Sequence, residues 1–302
     1  MQFRRIGQLV AATTVSAVAL SGAQAVAQEN KTTISVTNIT DIHGHLEDKI
    51  GDPAKAGDEI GVARLQTLIK QVNEGQEFNL TSSGDNVGGS AFVSAISDDK
   101  YTLEALNKMG MKVSAVGNHE FDKGTEDLTE RIQPNSTYPI LGANVLKDGQ
   151  PLLEPSHVED VDGVKVGYVG TVTENTKYKV SAAKIPGVTF TDPVKATNEE
   201  ATRLKESGEA DVVIALFHED AQEFAEGFNK DVDVLFGGDT HQRTKGEIPR
   251  EGALPLQWSQ GHEYGKLLND VDITFDKSAK KVTDIKLSQY DATDAAAVAV
   301  SY

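Results

Sequence analysis

Gly117-Asn118-His119-Glu120-Phe121-Asp122 is the stretch that decides how this chain is read. It follows the apolar run Val113-Ser114-Ala115-Val116 and precedes a stretch of helical character over residues 124–132. A strand that ends in Gly and then presents Asn, His and Asp in a tight loop aims polar groups off a sheet edge. In α/β proteins, ligands gather at the carboxyl ends of strands. Asn118 offers a metal a neutral oxygen, His119 can donate a proton, and Asp122 can orient that imidazole. One Asn-His pair is common in ordinary turns. Its weight here comes from four other strand ends that carry matching residues.

Upstream, residues 33–39 read as a first strand by alternation and run into Asp41-Ile42-His43-Gly44-His45. Asp41 and His43 lie two apart, so in an extended backbone both would face one side and could chelate a single ion. Gly44 breaks that strand and leaves His45 a neighbour. Residues 78–81 read as a second strand, and Asp85 stands where it gives way to a glycine-rich loop. Downstream, residues 212–217 form an uninterrupted apolar run, the mark of a strand buried on both faces, which ends in His218. Residues 232–236 form another strand, and Asp239 and His241 after it repeat the spacing of Asp41 and His43. Helical spacing is clear over residues 62–72, 101–109 and 193–208. Beyond Gly246 the pattern turns to β-structure, read as the second half of a sheet packed onto the first.

Composition bounds the chemistry. With 302 residues, 38% hydrophobic and 25% charged, the chain can build one large domain with an ample core. It has no cysteine, so a metal site must be made from His, Asp, Asn and Glu, which suits borderline or hard divalent ions. The 46 acidic against 29 basic residues give a formal charge of −17. A field of that sign repels nucleic-acid backbones and anionic membranes, so neither is an expected partner. It also requires that a site for phosphate esters bring its own positive charge.

The amino terminus reads as a signal peptide over residues 1–27, with Arg4 and Arg5, an apolar run over 9–20 and Ala25-Val26-Ala27 as the cleavage signal. The expectation is an exported protein that starts at Gln28 and has no membrane span, by general or twin-arginine export. Residues 28–290 read as one catalytic domain and residues 291–302 as the start of a linker.

With those five strand ends together, the sequence resembles the calcineurin-like metallophosphoesterases, and within them the exported 5′-nucleotidase branch. The matching motifs are Asp41-Ile42-His43, Gly84-Asp85, Gly117 to Asp122, a lone His218, and Gly237-Gly238-Asp239-Thr240-His241. The resemblance implies an α/β fold, a four-layer sandwich of two mixed β-sheets packed face to face and flanked by helices. It implies two divalent metal ions, one held by Asp41, His43 and His241, the other by Asn118, His218 and Asp239, with Asp85 between them. His119 would act at the phosphate, oriented by Asp122, and Asn86 would touch the phosphate as well. Two such ions turn water into a nucleophile at neutral pH and clamp phosphoryl oxygens.

The implied activity is removal of phosphate from 5′-nucleotides or other small phosphate esters. A cyclic-nucleotide or nucleotide-sugar phosphodiesterase on the same scaffold, a sulfur-ester hydrolase, or a non-catalytic exported metal- or nucleotide-binding protein are the alternatives. Two departures stand out. Asp239 replaces the family's first His of the last motif, which favours manganese or magnesium over zinc or cobalt. The further nucleotide-gripping domain of exported 5′-nucleotidases is expected to be absent from this chain.

Overall fold

The computed structural model describes residues 30–74 and 78–298. The expected signal peptide, residues 1–27, lies outside the described residues. Strand β1 (Lys31–Ile39) is followed by helix α1 (Val62–Val72), β2 (Phe78–Ser82), helix α2 (Lys100–Met109), β3 (Met111–Ala115) and β4 (Ile140–Leu141). A short hairpin, β5 (Val145–Lys147) and β6 (Gln150–Pro151), leads to β7 (Ser156–Val161), β8 (Val164–Val172) and β9 (Val188–Phe190). Helix α3 (Pro193–Glu206) starts on Asp192, whose carboxylate accepts from the Lys195 amide at 3.0 Å and so supplies the missing partner of a first-turn N–H. Then come β10 (Val212–His218), β11 (Val234–Gly237), β12 (Arg243–Ile248), β13 (Leu256–Gly261), β14 (Leu267–Asp276), β15 (Lys281–Asp291) and helix α4 (Ala292–Ala296).

These strands form two six-stranded mixed sheets, ordered β15-β14-β1-β2-β3-β4 and β12-β13-β11-β10-β8-β7, with a small third sheet β6-β5-β9. Side-chain alternation explains how they stack. In β10, Val212, Ile214 and Leu216 enter an inner core, while Val213, Ala215 and Phe217 enter an outer one under α3. The inner core joins both sheets: Ile34, Val36, Val113 and Ile273 from the first meet Tyr168, Val234 and Phe236 from the second. Helices α1 and α2 cover the other face of the first sheet through Leu65, Leu68, Ile69, Leu103 and Leu106. The four-layer sandwich expected from the sequence is therefore the fold.

Two sequence expectations are corrected. The β-structure beyond Gly246 is not half of one sheet. The β12–β13 hairpin closes the second sheet against β11, whereas β14 and β15 return to the first, with β14 antiparallel to β1. Alternation gives each strand's buried side but not its neighbour, so sheet membership was hidden. The helix expected over residues 124–132 is present and runs on to Asn135, with wider turns at Leu128–Ile132 between its α-helical ends. Residues 291–298 belong to the fold rather than to a linker. Asp291 and Asp294 cap α4 reciprocally, and Ala292, Ala295 and Val298 are buried with Leu65 and Leu68. Residues 299–302 lie outside the described residues.

Candidate metal centre

The carboxyl ends of β1, β2, β3, β10 and β11 meet at one edge of the sandwich, and their loops are tied together by main-chain hydrogen bonds. The amides of Asp41 and His43 donate to the carbonyls of Gly84 (3.0 Å) and Asp85 (3.1 Å). Glu120, buried behind the loops, accepts from the amides of Gly117 (2.6 Å), Asn86 (2.8 Å) and Asp85 (3.0 Å). Burial, and then the Asp85 carboxylate, push the Glu120 carboxyl up to about 7 against those three donors. Gly117 is required at its position because a Cβ there would collide with the Asp85 carboxylate.

Five of the expected ligands share an uncommon backbone. Asp41, His43, Asp85, Asp239 and His241 have φ of 51°, 46°, 52°, 67° and 56°. The extended geometry expected for Asp41 and His43 is thus not what brings them together. Successive left-handed turns do so, with Ile42 between them buried in the core under α1 and α2. Left-handed residues outside glycine cost free energy and concentrate where function demands a fixed geometry.

The imidazoles are oriented from behind. Nδ1 of His43 donates to the Gly88 carbonyl (2.7 Å), and Nδ1 of His218 donates to the Ser83 carbonyl (2.7 Å). A carbonyl can only accept, so in the neutral ring the proton sits on Nδ1 and the lone pair of Nε2 faces the cluster. There His218 Nε2 lies 3.1 Å from Asp85 Oδ2 and 3.7 Å from Asp239 Oδ1. His241 Nε2 lies 3.4 Å from Asp41 Oδ1, and His43 Nε2 lies 3.7 Å from Asp85 Oδ2.

The ligand atoms of Asp41, His43 and His241 fall within 4.8 Å of one another, as do those of Asp41, Asp85 and His218. Asp41 Oδ1 and His218 Nε2 are buried with no hydrogen-bond partner, which is costly unless a cation completes them. Nitrogen and oxygen donors with no sulfur fit divalent manganese, magnesium, cobalt or zinc. Burial alone would lower the His218 imidazole, yet the Asp85, Asp41 and Asp239 carboxylates raise it well above its ordinary value. The same negative charge attracts a metal ion, and binding one needs that ring neutral.

His119 stands at the rim, half-exposed. Its amide donates to Asp85 Oδ1 (2.8 Å), its Nδ1 pairs with Asp122 Oδ2 (2.9 Å), and its ring is 4.9 Å from that of His43. The Gly89 amide fixes the same Asp122 oxygen at 3.0 Å. The Asp122 hydrogen bond, joined by the Asp85 charge and opposed by burial, pushes His119 up to about 9. The protein's own groups therefore keep it an acid at neutral pH.

All nine expected site residues, Asp41, His43, Asp85, Asn118, His119, Asp122, His218, Asp239 and His241, are brought to this edge. The family assignment follows from a match over residues 34–243 to the calcineurin-like phosphoesterases. The chain belongs to that family. Among curated relatives, a protein named Endonuclease YhcR from Bacillus subtilis (strain 168) is 29% identical over 279 residues, 82% of this chain and 22% of that protein. A 5′-nucleotidase of Diplobatis ommata is 30% identical over 281 residues, 81% of this chain and 46% of that one. The chain spans less than half the length of either relative. Among solved structures, a 5′-nucleotidase precursor from Thermus thermophilus superposes with a TM-score of 0.72 at 21% identity, covering 86% of this chain and 55% of that one, which supports the shared fold.

For a family member, three placements are unexpected. Asn86 is not open to a phosphate: it is buried, its amide donates to Ser114 Oγ (2.9 Å), and its carbonyl accepts from Ser82 Oγ (2.8 Å). Glu120 escaped attention although it lies inside the deciding stretch, because its work is to hold loops that meet only in the fold. Lys179, at the end of the short helix Thr176–Lys179, reaches the cluster from the loop after β8 and pairs with Asp239. Nothing local in the sequence marks it.

Proposed function

We propose that this chain is the catalytic domain of an exported two-metal phosphohydrolase that releases phosphate from 5′-nucleotides or related small phosphate esters. The observation that carries the reading is the pairing of His119 with Asp122 beside a buried cluster of metal-type donors whose innermost atoms lack partners. A protein that only binds metal has no use for an oriented, exposed acid at the cluster's rim.

In this reading Asp41, His43 and His241 hold one ion, Asn118, His218 and Asp239 hold the other, and Asp85 is shared. Such ions, when bound, supply a nucleophile from water and offset phosphoryl charge. The protein does the rest. His43 and His218 are locked in the ligating tautomer by the Gly88 and Ser83 carbonyls. The Asp122 carboxylate holds Nδ1 of His119, which leaves Nε2–H of the imidazolium beside the cluster to give its proton to a leaving oxygen. Among the described residues no helix is long and apolar enough to cross a membrane, and export itself rests on the first 27 residues.

The test is phosphate release from an aryl phosphate and from AMP, with Mn²⁺ and then with chelator. The expected result is metal-dependent release from both. Bound metal with no turnover on any ester would identify a non-catalytic binder, and turnover confined to diesters would move the assignment to a phosphodiesterase.

A further inference from the structure

The two halves of the cluster are not furnished alike. Around Asp41, His43 and His241 no lysine or arginine among the described residues pairs with a ligand carboxylate; the positive neighbour is the His119 imidazole, its ring 4.9 Å from that of His43, and Asp41 Oδ1 has no hydrogen-bond partner. In the other half, Lys179 Nζ forms an ion pair with Asp239 Oδ1 and lies 3.5 Å from Asn118 Oδ1. Asp239 is nearly buried, with 7% of its side chain exposed, so its charge needs a close counter-ion. The Asn118 amide fits two ways. With nitrogen inward it donates to Asp239 Oδ1 at 2.8 Å and its oxygen accepts from the His119 amide at 3.2 Å, which satisfies both ends; with oxygen inward, as a metal ligand must sit, that oxygen faces Asp239 Oδ1 and lies beside the Lys179 ammonium.

Its position is built into the scaffold. The Thr173 amide donates to the His218 carbonyl (2.9 Å), Thr173 Oγ1 donates to the Glu219 carboxylate, and Thr176 Oγ1 donates to the Thr173 carbonyl (2.7 Å). The short helix bearing Lys179 is therefore tied to the strand end that carries His218. The charges also match. Where the resembled family has a neutral imidazole, this chain places the negative Asp239, and Lys179 restores the balance with one positive charge.

We propose that Lys179 is a resident cation of the second half-site, which a second divalent ion must displace, so that the two metals load in a fixed order. The first ion enters at Asp41, His43 and His241, where no ammonium competes. The second enters at Asn118, His218 and Asp239 only as Lys179 swings out, since like charges at one carboxylate repel. This rests on the two-metal reading above.

The test is calorimetric titration of the metal-stripped protein with Mn²⁺, with metal counted by mass spectrometry, for wild type, Lys179→Met, Lys179→Gln and Lys179→Arg. The two neutral variants guard against one failing to fold. The wild type should show two separated steps. Both neutral variants should tighten the weaker step by about tenfold or more and leave the tighter one within about threefold, whereas the Arg variant should stay close to wild type. A wild type with one ion and neutral variants with two would support the proposal as strongly. If all four chains give the same two steps, or if the Arg variant behaves as the neutral ones, Lys179 is not the competing cation and only this proposal falls. Should the wild type take up no divalent ion, the two-metal reading fails, and the proposal fails with it.

Discussion

In the proposed two-metal centre, the half built on Asp41, His43 and His241 takes all three from left-handed turns at strand ends, whereas the half built on Asn118, His218 and Asp239 takes Asn118 from a right-handed turn, His218 from the last residue of β10 and only Asp239 from a left-handed turn. The halves also differ in what surrounds them. Each leaves a buried atom with no hydrogen-bond partner, Asp41 Oδ1 in the first and His218 Nε2 in the second, but only the second has a carboxylate paired with an ammonium, that of Lys179. On the proposal above, charge supplied from a neighbouring loop biases how readily a cation enters each half.

In the proposed centre Asp85 is shared by both halves, so its removal should erase the contrast. Asp85→Ala is expected to lose metal from both positions and to reduce turnover by about four orders of magnitude or more, read by metal analysis beside phosphate release. Retention of one full equivalent of metal would show that Asp85 serves a single half. His119 belongs to neither. His119→Ala should lower kcat by roughly two to four orders of magnitude while metal content stays near wild type. Equal metal loss in both variants would refute this division of roles.

A smaller effect is expected within the second half. Asp239→His should shift the ion that best supports phosphate release from Mn²⁺ or Mg²⁺ toward Zn²⁺ or Co²⁺, by about tenfold, since imidazole is the softer ligand and Lys179 loses its partner. An unchanged ion profile would place Asp239 outside the coordination sphere.

The smallest effect on the site should come from a charge buried in the scaffold. Burial, reinforced by Asp272, pushes the Asp270 carboxyl on β14 up to about 7. Its folded-state value lies above the unfolded one, near 3.9, so ionising it opposes folding. That penalty is absent below about pH 4, grows as pH rises toward 7 and is complete above it, so stability falls across this window. Asp270→Asn should remove roughly 2–4 kcal/mol of that pH dependence in urea unfolding and leave metal binding in both halves unchanged. A pH–stability curve identical to wild type would mean that Asp270 is not held protonated.

Much of this was legible in the sequence because the relevant signals are local. Each apolar run announces a strand, and the polar residues that follow it, from Asp41 to His241, must leave the sheet at its carboxyl end. What stayed hidden depends on meetings between distant segments. The carboxylate of Glu120 has meaning only once the loops of Asp85 and Gly117 lie against it. Lys179 is an ordinary surface lysine until β8 sets it opposite Asp239. Whether β14 pairs with β1 or with β13 is a choice between partners, which alternation within one strand does not encode. Residues 291–302 read as the start of a linker because the burial of Ala292, Ala295 and Val298 depends on α1 lying against them.

The central claim is that these strand ends form a two-metal centre with unlike halves. Anomalous diffraction from a crystal soaked in Mn²⁺ tests it most directly. The account predicts a strong peak among Asp41, His43, Asp85 and His241, and a second among Asp85, Asn118, His218 and Asp239 that grows in at higher Mn²⁺ as the Lys179 side chain moves away. Peaks elsewhere on the molecule, with none at this edge, would contradict it.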